Sequence, residues 1–464
     1  MKFNAIILAA GKGARMKSKT PKVLHNISGK PMVSYVVETA RKIGAEQIVV
    51  VVGADFPDLT PILGSDLDYV VQKQQLGTGD AVKTALPVLK KPKNPLLVMC
   101  GDTPLLSGAT LNLATERFYA GHCGCVVLTT HLDNPSGYGR IIRQKGGSLA
   151  KIVEERDASG VERSIKEING GVYCFDGVVL AKAIEQIEDN NSQGEYYLTD
   201  AVKSIVKGGY RVQTVTLEDA MELQGVNDRS QLSLAINVIN RRNIQKHLDN
   251  GVTIIDPAHT YIDSGVEIGA DTIIEPGCCL RGQTVIGEGC YFDNGVDIID
   301  CRVGNYCNII RSVLRESTVG DNCNIGPFAY LRPGTVLAER VKVGDFVEIK
   351  NSIVGPGSKI PHLSYVGDSD VGTGVNVGCG TITCNYDGFR KYRTVIEDGV
   401  FIGSNSNLIA PVKVERGAFV AAGSTIDQEV PGDALAITRV KQRNLPGWAA
   451  AKRKSEECRV ESEE

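Results

Sequence analysis

The sequence predicts two folds in series, an α/β sheet over residues 1–228 and a parallel β-helix over residues 251–464, joined by a linking helix over 229–250. Three patterns carry that expectation. From Ile262 to Ile426 an aliphatic residue recurs every sixth position, a period that suits neither a helix nor an isolated alternating strand. It is the period of a hexapeptide β-helix, in which each such side chain points into a narrow prism. In the first 228 residues, short uninterrupted apolar runs alternate with helical segments, as in parallel strands buried on both faces. Between the two lies Asp228 to Asn250, polar on one face and carrying Leu232, Leu234, Ile236, Ile239 and Ile244 on the other.

In chain order, Ala5-Ile6-Ile7-Leu8, the run Ile48 to Val52, and Leu96 to Met99 read as buried strands. Met32 to Ile43 and Gly79 to Leu89 read as the helices among them. Such alternation makes a mostly parallel, doubly wound sheet that binds ligands at the carboxyl ends of its strands. Gly124 to Thr130 and Gly170 to Phe175 supply further strands. In the solenoid, Ile262, Ile268, Ile274, Leu280, Ile286, Phe292 and Ile298 form one unbroken series, and Ile402, Leu408, Val414, Val420 and Ile426 another. Five-residue steps interrupt the stretch between them. Pairs such as Ile268-Gly269 and Ile402-Gly403 mark corners, where glycine is expected for its permissive backbone. Three hexads per coil make about nine coils. The beat breaks after Thr383, so Asn385 to Arg393 is expected to leave the prism as a loop, where solenoids place function.

Composition excludes several classes. At 464 residues, 42% hydrophobic and 23% charged, the chain can build two cores. A net charge of −3 argues against a broad nucleic-acid or membrane footprint. No segment reaches the roughly 18 apolar residues of a membrane span, and no signal-peptide pattern opens the sequence, so a cytoplasmic location is expected. The 13 cysteines include no Cys-x-x-Cys pair, and neither Cys278-Cys279 nor Cys123-x-Cys125 has a zinc spacing. They are expected to be small reduced thiols.

The chemistry of the first half begins at Leu8-Ala9-Ala10-Gly11-Lys12-Gly13-Ala14-Arg15-Met16, followed by Pro21-Lys22. A glycine-rich turn after a buried strand lets backbone N–H groups approach phosphates, and Arg15 and Lys22 can neutralise them. The spacing is neither that of a Walker loop nor that of the dinucleotide fingerprint. This composite resembles the signature of sugar-phosphate nucleotidyltransferases, which implies a Rossmann-like nucleotidyltransferase domain. The resemblance extends to Gln72 and Leu76-Gly77-Thr78-Gly79 for the nucleobase, and to Cys100-Gly101-Asp102 after a strand. It also implies sugar contacts from Gly139 in Gly137-Tyr138-Gly139-Arg140, from Glu154 and from Asn169. Asp102 supplies a hard oxygen for Mg2+, and the resemblance implies Asn227 as the second protein ligand.

The solenoid carries Tyr330-Leu331-Arg332-Pro333-Gly334, Phe346 to Asn351, His362-Leu363-Ser364-Tyr365-Val366-Gly367-Asp368, and Gly380 to Gly388. A nucleotidyltransferase followed by hexads with these segments resembles, over nearly the whole chain, the bacterial family of bifunctional UDP-N-acetylglucosamine pyrophosphorylase and glucosamine-1-phosphate N-acetyltransferases. The hexad pattern is also similar to that of hexapeptide acyltransferases, which implies a left-handed parallel β-helix. The resemblance implies His362 as the general base, a task suited to a histidine near neutrality. It implies Arg332, Lys350, Tyr365 and Asn376 on the sugar phosphate, and Cys379, Asn385, Tyr386, Ser404, Ala422 and Arg439 on acetyl-CoA, several through the backbone. The substrates so implied are glucosamine-1-phosphate, acetyl-CoA, N-acetylglucosamine-1-phosphate and UTP, with a homotrimer as the assembly and cell-envelope precursor synthesis as the purpose.

Cys100 and Cys379 stand where the family more often has an aromatic residue and alanine, and Gly79-Asp80-Ala81 replaces the commoner Ala-His-Ala. Two other classes fit the same folds: a single-activity nucleotidyltransferase with a regulatory solenoid, and a non-catalytic assembly or exchange-factor subunit. His362, Arg332 and Lys350 speak against the first; Asp102, Asn227, Arg15 and Lys22 speak against the second. The tail is basic from Arg439 to Lys454 and acidic after Ser455, either a loosely held end or a contact between subunits.

Overall fold

A computed structural model describes residues 2–460 of the chain, with side chains as far as Ser455, so most of the acidic end read from the sequence lies outside the described residues. Two compact units divide at Asn243 and Ile244. The strands of the first unit arise where the continuous apolar runs fall. Its nine-stranded sheet runs in the order Val212–Leu217, Cys125–His131, Glu167–Phe175, Leu96–Cys100, Asn4–Leu8, Gln47–Gly53, Asp68–Gln72. Asn4–Leu8 lies parallel to both neighbours, and Glu167–Phe175 is antiparallel to both of its own. A hairpin of Arg140–Arg143 and Leu149–Val153 joins the edge of that antiparallel strand. Helices cover both faces, so Ala5 and Ile7 enter one core while Ile6 enters the other. That two-sided burial is why these strands show no polar alternation.

The Asp228 to Asn250 segment forms a helix over Arg229–Asp249, opened by the Asp228 carboxylate accepting from the Gln231 backbone N–H at 2.9 Å. Leu232, Ala235 and Ile239 are buried in a core of the first unit, whereas Ile244 belongs to the core of the second.

The second unit stacks its short strands in three parallel ladders of eleven, ten and nine, which makes nine complete coils of the left-handed β-helix. The sixth-position aliphatics fill the prism, Ile274, Leu280, Phe292 and Ile298 all being fully buried. Each contributes about 1.5–3 kcal/mol of burial, repeated coil after coil. The five-residue steps have a local signature. After Ile298, Ile309, Leu314, Ile349 and Val366 the second residue on is Asp300, Arg311, Glu316, Asn351 and Asp368, and each has a left-handed backbone with φ between 36° and 53°. The left-handed residue closes the corner with one residue fewer.

Corner glycines have a different cause from the one expected. Gly269 and Gly403 are not left-handed; a Cβ at Gly269 would lie 2.6 Å from the Glu288 backbone nitrogen, and one at Gly403 would lie 2.4 Å from that of Ala422. Close approach of the next coil excludes a side chain there. The buried cysteines of the solenoid act as hydroxyl substitutes. Cys290, Cys307 and Cys323 donate to the carbonyls of Gly304, Gly320 and Ala338 in the next coil at 3.2, 3.1 and 3.1 Å, as Thr272 and Ser358 do at equivalent corners. Burial pushes the Cys278 and Cys301 thiols up to about 11. Among the described residues no helix is long and apolar enough to cross a membrane.

Candidate active sites

In the first unit, the carboxyl ends of Asn4–Leu8, Asp68–Gln72 and Leu96–Cys100 border two adjoining cavities of about 390 and 200 Å³. Leu8, Ala10, Gly11, Lys22, Gln72, Gly77 and Thr78 line the larger; Gly139, Glu154, Asn169 and Asn227 line the smaller. Leu8, Thr78, Cys100 and Asp102 belong to both. Ala9 and Gly101 support this wall from behind, the Gly101 N–H donating to the Leu8 carbonyl at 2.8 Å. Arg15 is exposed and stands apart from the lining, although its charge reaches Tyr138 at the rim.

The centre of the site is a three-residue constellation. The Lys22 ammonium forms an ion pair with Asp102 Oδ2 and donates to Asn227 Oδ1 at 3.2 Å. Two elements hold the oxygens in place. The Val226 N–H donates to the Asp102 carbonyl at 2.8 Å, and the Asn227 N–H donates to Gln231 Oε1 in the first turn of the helix at 2.7 Å. Two hard oxygen atoms from sequence positions far apart thus converge on one cationic atom. That donor set fits a small divalent cation, which takes one or two protein oxygens and completes its shell with phosphate and water.

Around this centre, the bulge between Asn169 and Tyr173 turns Asn169 inward, where its amide donates to the Tyr173 hydroxyl at 2.7 Å. The segment Gly77 to Gly79 is clamped by Tyr196 and Leu198: Gly79 N–H donates to the Tyr196 carbonyl at 2.7 Å, and Leu198 N–H to Thr78 Oγ1 at 3.0 Å. A Cβ on Gly77 would sit 2.6 Å from the Tyr196 oxygen, and its φ of 112° belongs to glycine. Gln72 donates both amide hydrogens inward, to Gly77 at 3.1 Å and to Asp80 at 2.7 Å, which leaves its oxygen to accept. Burial raises the Glu154 carboxyl above its ordinary range despite a 3.1 Å bond from Thr199.

In the second unit, register assembles a second group. Val343, Ile360, Val377, Ile402 and Val420 are partners through one ladder, and the residues two positions after them, Asp345, His362, Cys379, Ser404 and Ala422, fall on one corner of the prism. The chain therefore stacks the expected base and three expected acetyl-CoA contacts on successive coils. Arg439 reaches the same corner, its guanidinium donating to the Ala422 carbonyl. Asn376 lies on the flat face of that ladder. On the adjacent ladder, Arg332 pairs with Glu348 at 2.7 Å, and Lys350 and Tyr365 follow in the coils above. Asn385 donates to the Tyr365 hydroxyl at 3.5 Å and to the buried Asp368, which also accepts from Asn351. The left-handed corners at Asn351 and Asp368 bring these two side chains together.

Sequence reasoning missed two residues here. Lys391, in the loop of residues 385–393, faces Lys350, whose own pKa is lowered first by that contact. Two ammonium groups beside Arg332 make a site for a doubly charged anion. Asp345 accepts from His362 Nδ1 at 2.6 Å. No motif announces either residue, since one is brought in by the loop's fold and the other by coil register.

Matches to known proteins follow the same division. The MobA-like NTP transferase domain matches residues 5–168, the GMPPB C-terminal domain residues 257–368, and the bacterial transferase hexapeptide (six repeats) residues 393–428. The bifunctional protein GlmU of Geobacillus sp. (strain WCH70) is 49% identical over 448 residues, 97% of this chain and 98% of its own. That of Heliobacterium modesticaldum is 49% identical over 453 residues, covering 98% and 99%. That of Caldanaerobacter subterraneus subsp. tengcongensis is 50% identical over 444 residues, covering 96% and 97%. The chain belongs to the bifunctional GlmU family.

As a GlmU enzyme it is both a uridylyltransferase and an acetyltransferase. Burial, reinforced by Asp102, pushes the Cys100 thiol up to about 12, so at neutral pH it is protonated and a poor nucleophile. We expect iodoacetamide at pH 7 to leave Cys100 unmodified in the folded enzyme by peptide mass spectrometry. Rapid alkylation of Cys100, prevented by UTP, would contradict this.

Proposed function

We propose that the solenoid acetylates glucosamine-1-phosphate from acetyl-CoA, and that the α/β unit then joins N-acetylglucosamine-1-phosphate to UMP from UTP, releasing pyrophosphate. The observation that carries the uridylyl assignment is the convergence of Asp102 and Asn227 oxygens on one cation at the strand ends. A Mg2+ held by these two oxygens supplies charge stabilisation for the transferring phosphoryl group and the leaving pyrophosphate. Lys22, once released from Asp102, is positioned for the same phosphates, and Arg15 reaches them from the exposed loop. Gln72 offers its oxygen to a base that presents an N–H, as the uracil imide does. Glu154 and Asn169 hold the sugar of the acceptor.

In the acetyl site, Arg332, Lys350 and Lys391 bind the phosphate, Tyr365 and Asn376 complete its hydrogen bonds, and His362 takes the proton from the attacking amine. Cys379, Asn385, Tyr386, Ser404, Ala422 and Arg439 hold acetyl-CoA along the stacked corners. The enzyme assembles as a homotrimer through its solenoid. Its product feeds cell-wall precursor synthesis.

The experiment that tests this reading separates the units. A polypeptide of residues 1–250 is expected to retain Mg2+-dependent pyrophosphate release, and residues 251–464 to retain thiol release and trimer mass. Residues 1–228 alone should be less stable than 1–250 by about 3–5 kcal/mol, because Leu232, Ala235 and Ile239 are then missing from the core. Denaturant unfolding and separate product assays measure each. Acetylation by the first piece, or none by a folded second piece, would overturn the division.

A further inference from the structure

The structure points to a carboxylate that orients the acetyl-transfer base. We propose that Asp345 is a positioning residue for His362, holding its imidazole in the tautomer that leaves Nε2 free and stabilising the imidazolium formed when Nε2 takes the substrate's proton. This rests on the reading of His362 as the base. The two residues are partners in adjacent parallel strands, Lys342–Asp345 and Lys359–His362. The Leu363 N–H also donates to the Asp345 carbonyl at 2.9 Å, so the coil spacing itself sets the height of the ring above the carboxylate.

His362 Nδ1 lies 2.6 Å from Asp345 Oδ1. A carboxylate can only accept, so Nδ1 carries the hydrogen and the lone pair of the neutral ring is on Nε2. The His362 bond, first among several causes, holds the Asp345 carboxyl below its usual range, so the acceptor stays ionised wherever the enzyme works. The other charged groups of this face are Lys342, acting on Asp345 from its own strand, and Lys359 on the strand of His362. Neither can accept the Nδ1 hydrogen.

The amine nitrogen forms a bond to the thioester carbonyl carbon while Nε2 removes an amine proton. The tetrahedral intermediate then collapses with cleavage of the carbon–sulfur bond, and the imidazolium returns that proton to the thiolate of CoA. A fixed negative charge on the far nitrogen favours the protonated ring midway through.

The test is Asp345→Asn in the full-length enzyme, with His362→Asn beside it. Thiol release is followed from about pH 5.5 to 9 with glucosamine-1-phosphate and acetyl-CoA, and pyrophosphate release is followed on the same samples. Loss of the charge should lower the plateau kcat by about 10- to 100-fold, and Asp345→Glu, which restores a charged acceptor for the Nδ1 hydrogen, should regain at least about fivefold of it. The KM for acetyl-CoA and the pyrophosphate release should stay within about twofold. A plateau equal to that of the parent enzyme overturns the proposal. So does a fall in kcat that comes with an equal rise in the KM for acetyl-CoA, or one that Asp345→Glu does not lessen, which is what a purely structural role produces. If His362→Asn itself keeps full acetyl transfer, the reading of His362 as base fails first, and Asp345 with it.

Discussion

Replacing Asp102 by asparagine should lower pyrophosphate release by about 100- to 1000-fold, a loss of about 3–4 kcal/mol in the transition state. Asp102 supplies the only carboxylate of the converging set; Asn227 supplies a neutral oxygen and Lys22 a positive charge. Asparagine keeps the shape but leaves a divalent cation with two neutral donors. The Mg2+ concentration needed for half-maximal rate should therefore rise along with the fall in kcat. Acetyl transfer, assayed from acetyl-CoA thiol release, should stay within about twofold, since the residues proposed for it lie in the other unit. Full pyrophosphate release by folded Asp102→Asn enzyme would remove Asp102 from the site.

Converting His362 to alanine should reduce thiol release by about 100-fold or more, the usual contribution of a positioned general base. Pyrophosphate release from supplied N-acetylglucosamine-1-phosphate should be unchanged. His362 stands on the same corner as Cys379, Ser404 and Ala422, one coil below the first of them, so its loss removes a proton acceptor without disturbing the prism interior. Equal loss of both activities in a folded protein would contradict the separate sites.

Much of the fold is legible because it depends on local repetition. A six-residue aliphatic period has one way to bury itself, and continuous apolar runs such as Ile48 to Val52 have one kind of sheet to join. Motif residues of the candidate uridylyl site are legible for a related reason: Ala9 to Lys22 and Gly101-Asp102 follow strands that end at Leu8 and Cys100, and strand ends are where such sheets bind ligands. Arg15 shows the limit of that reasoning: the motif offers it as a group that neutralises phosphate, and the loop leaves it exposed and outside the cavity lining. The corner glycines show another. Their place in the hexad was plain, but their cause, the backbone of the next coil lying 2.4–2.6 Å from a Cβ at Gly403 and Gly269, exists only after stacking.

Local pattern is enough to order the two architectures, to count the coils and to nominate residues for chemistry, because periodicity and turn chemistry act over a few neighbouring positions. Which of those residues meet depends on the folded chain as a whole. Asp102 and Asn227 converge because the turn after one strand is tied to the start of a distant helix by the Val226 and Asn227 backbone bonds, and Lys22 joins them because its loop is tied to that helix by Arg229, whose Nε donates to the Met16 carbonyl at 3.2 Å. Asp345 reaches His362, and Asp368 reaches Asn351 and Asn385, because five-residue steps shift the register between coils and left-handed corners absorb the difference. Contacts across coils depend on the sum of all the steps between them, and no local pattern records that sum.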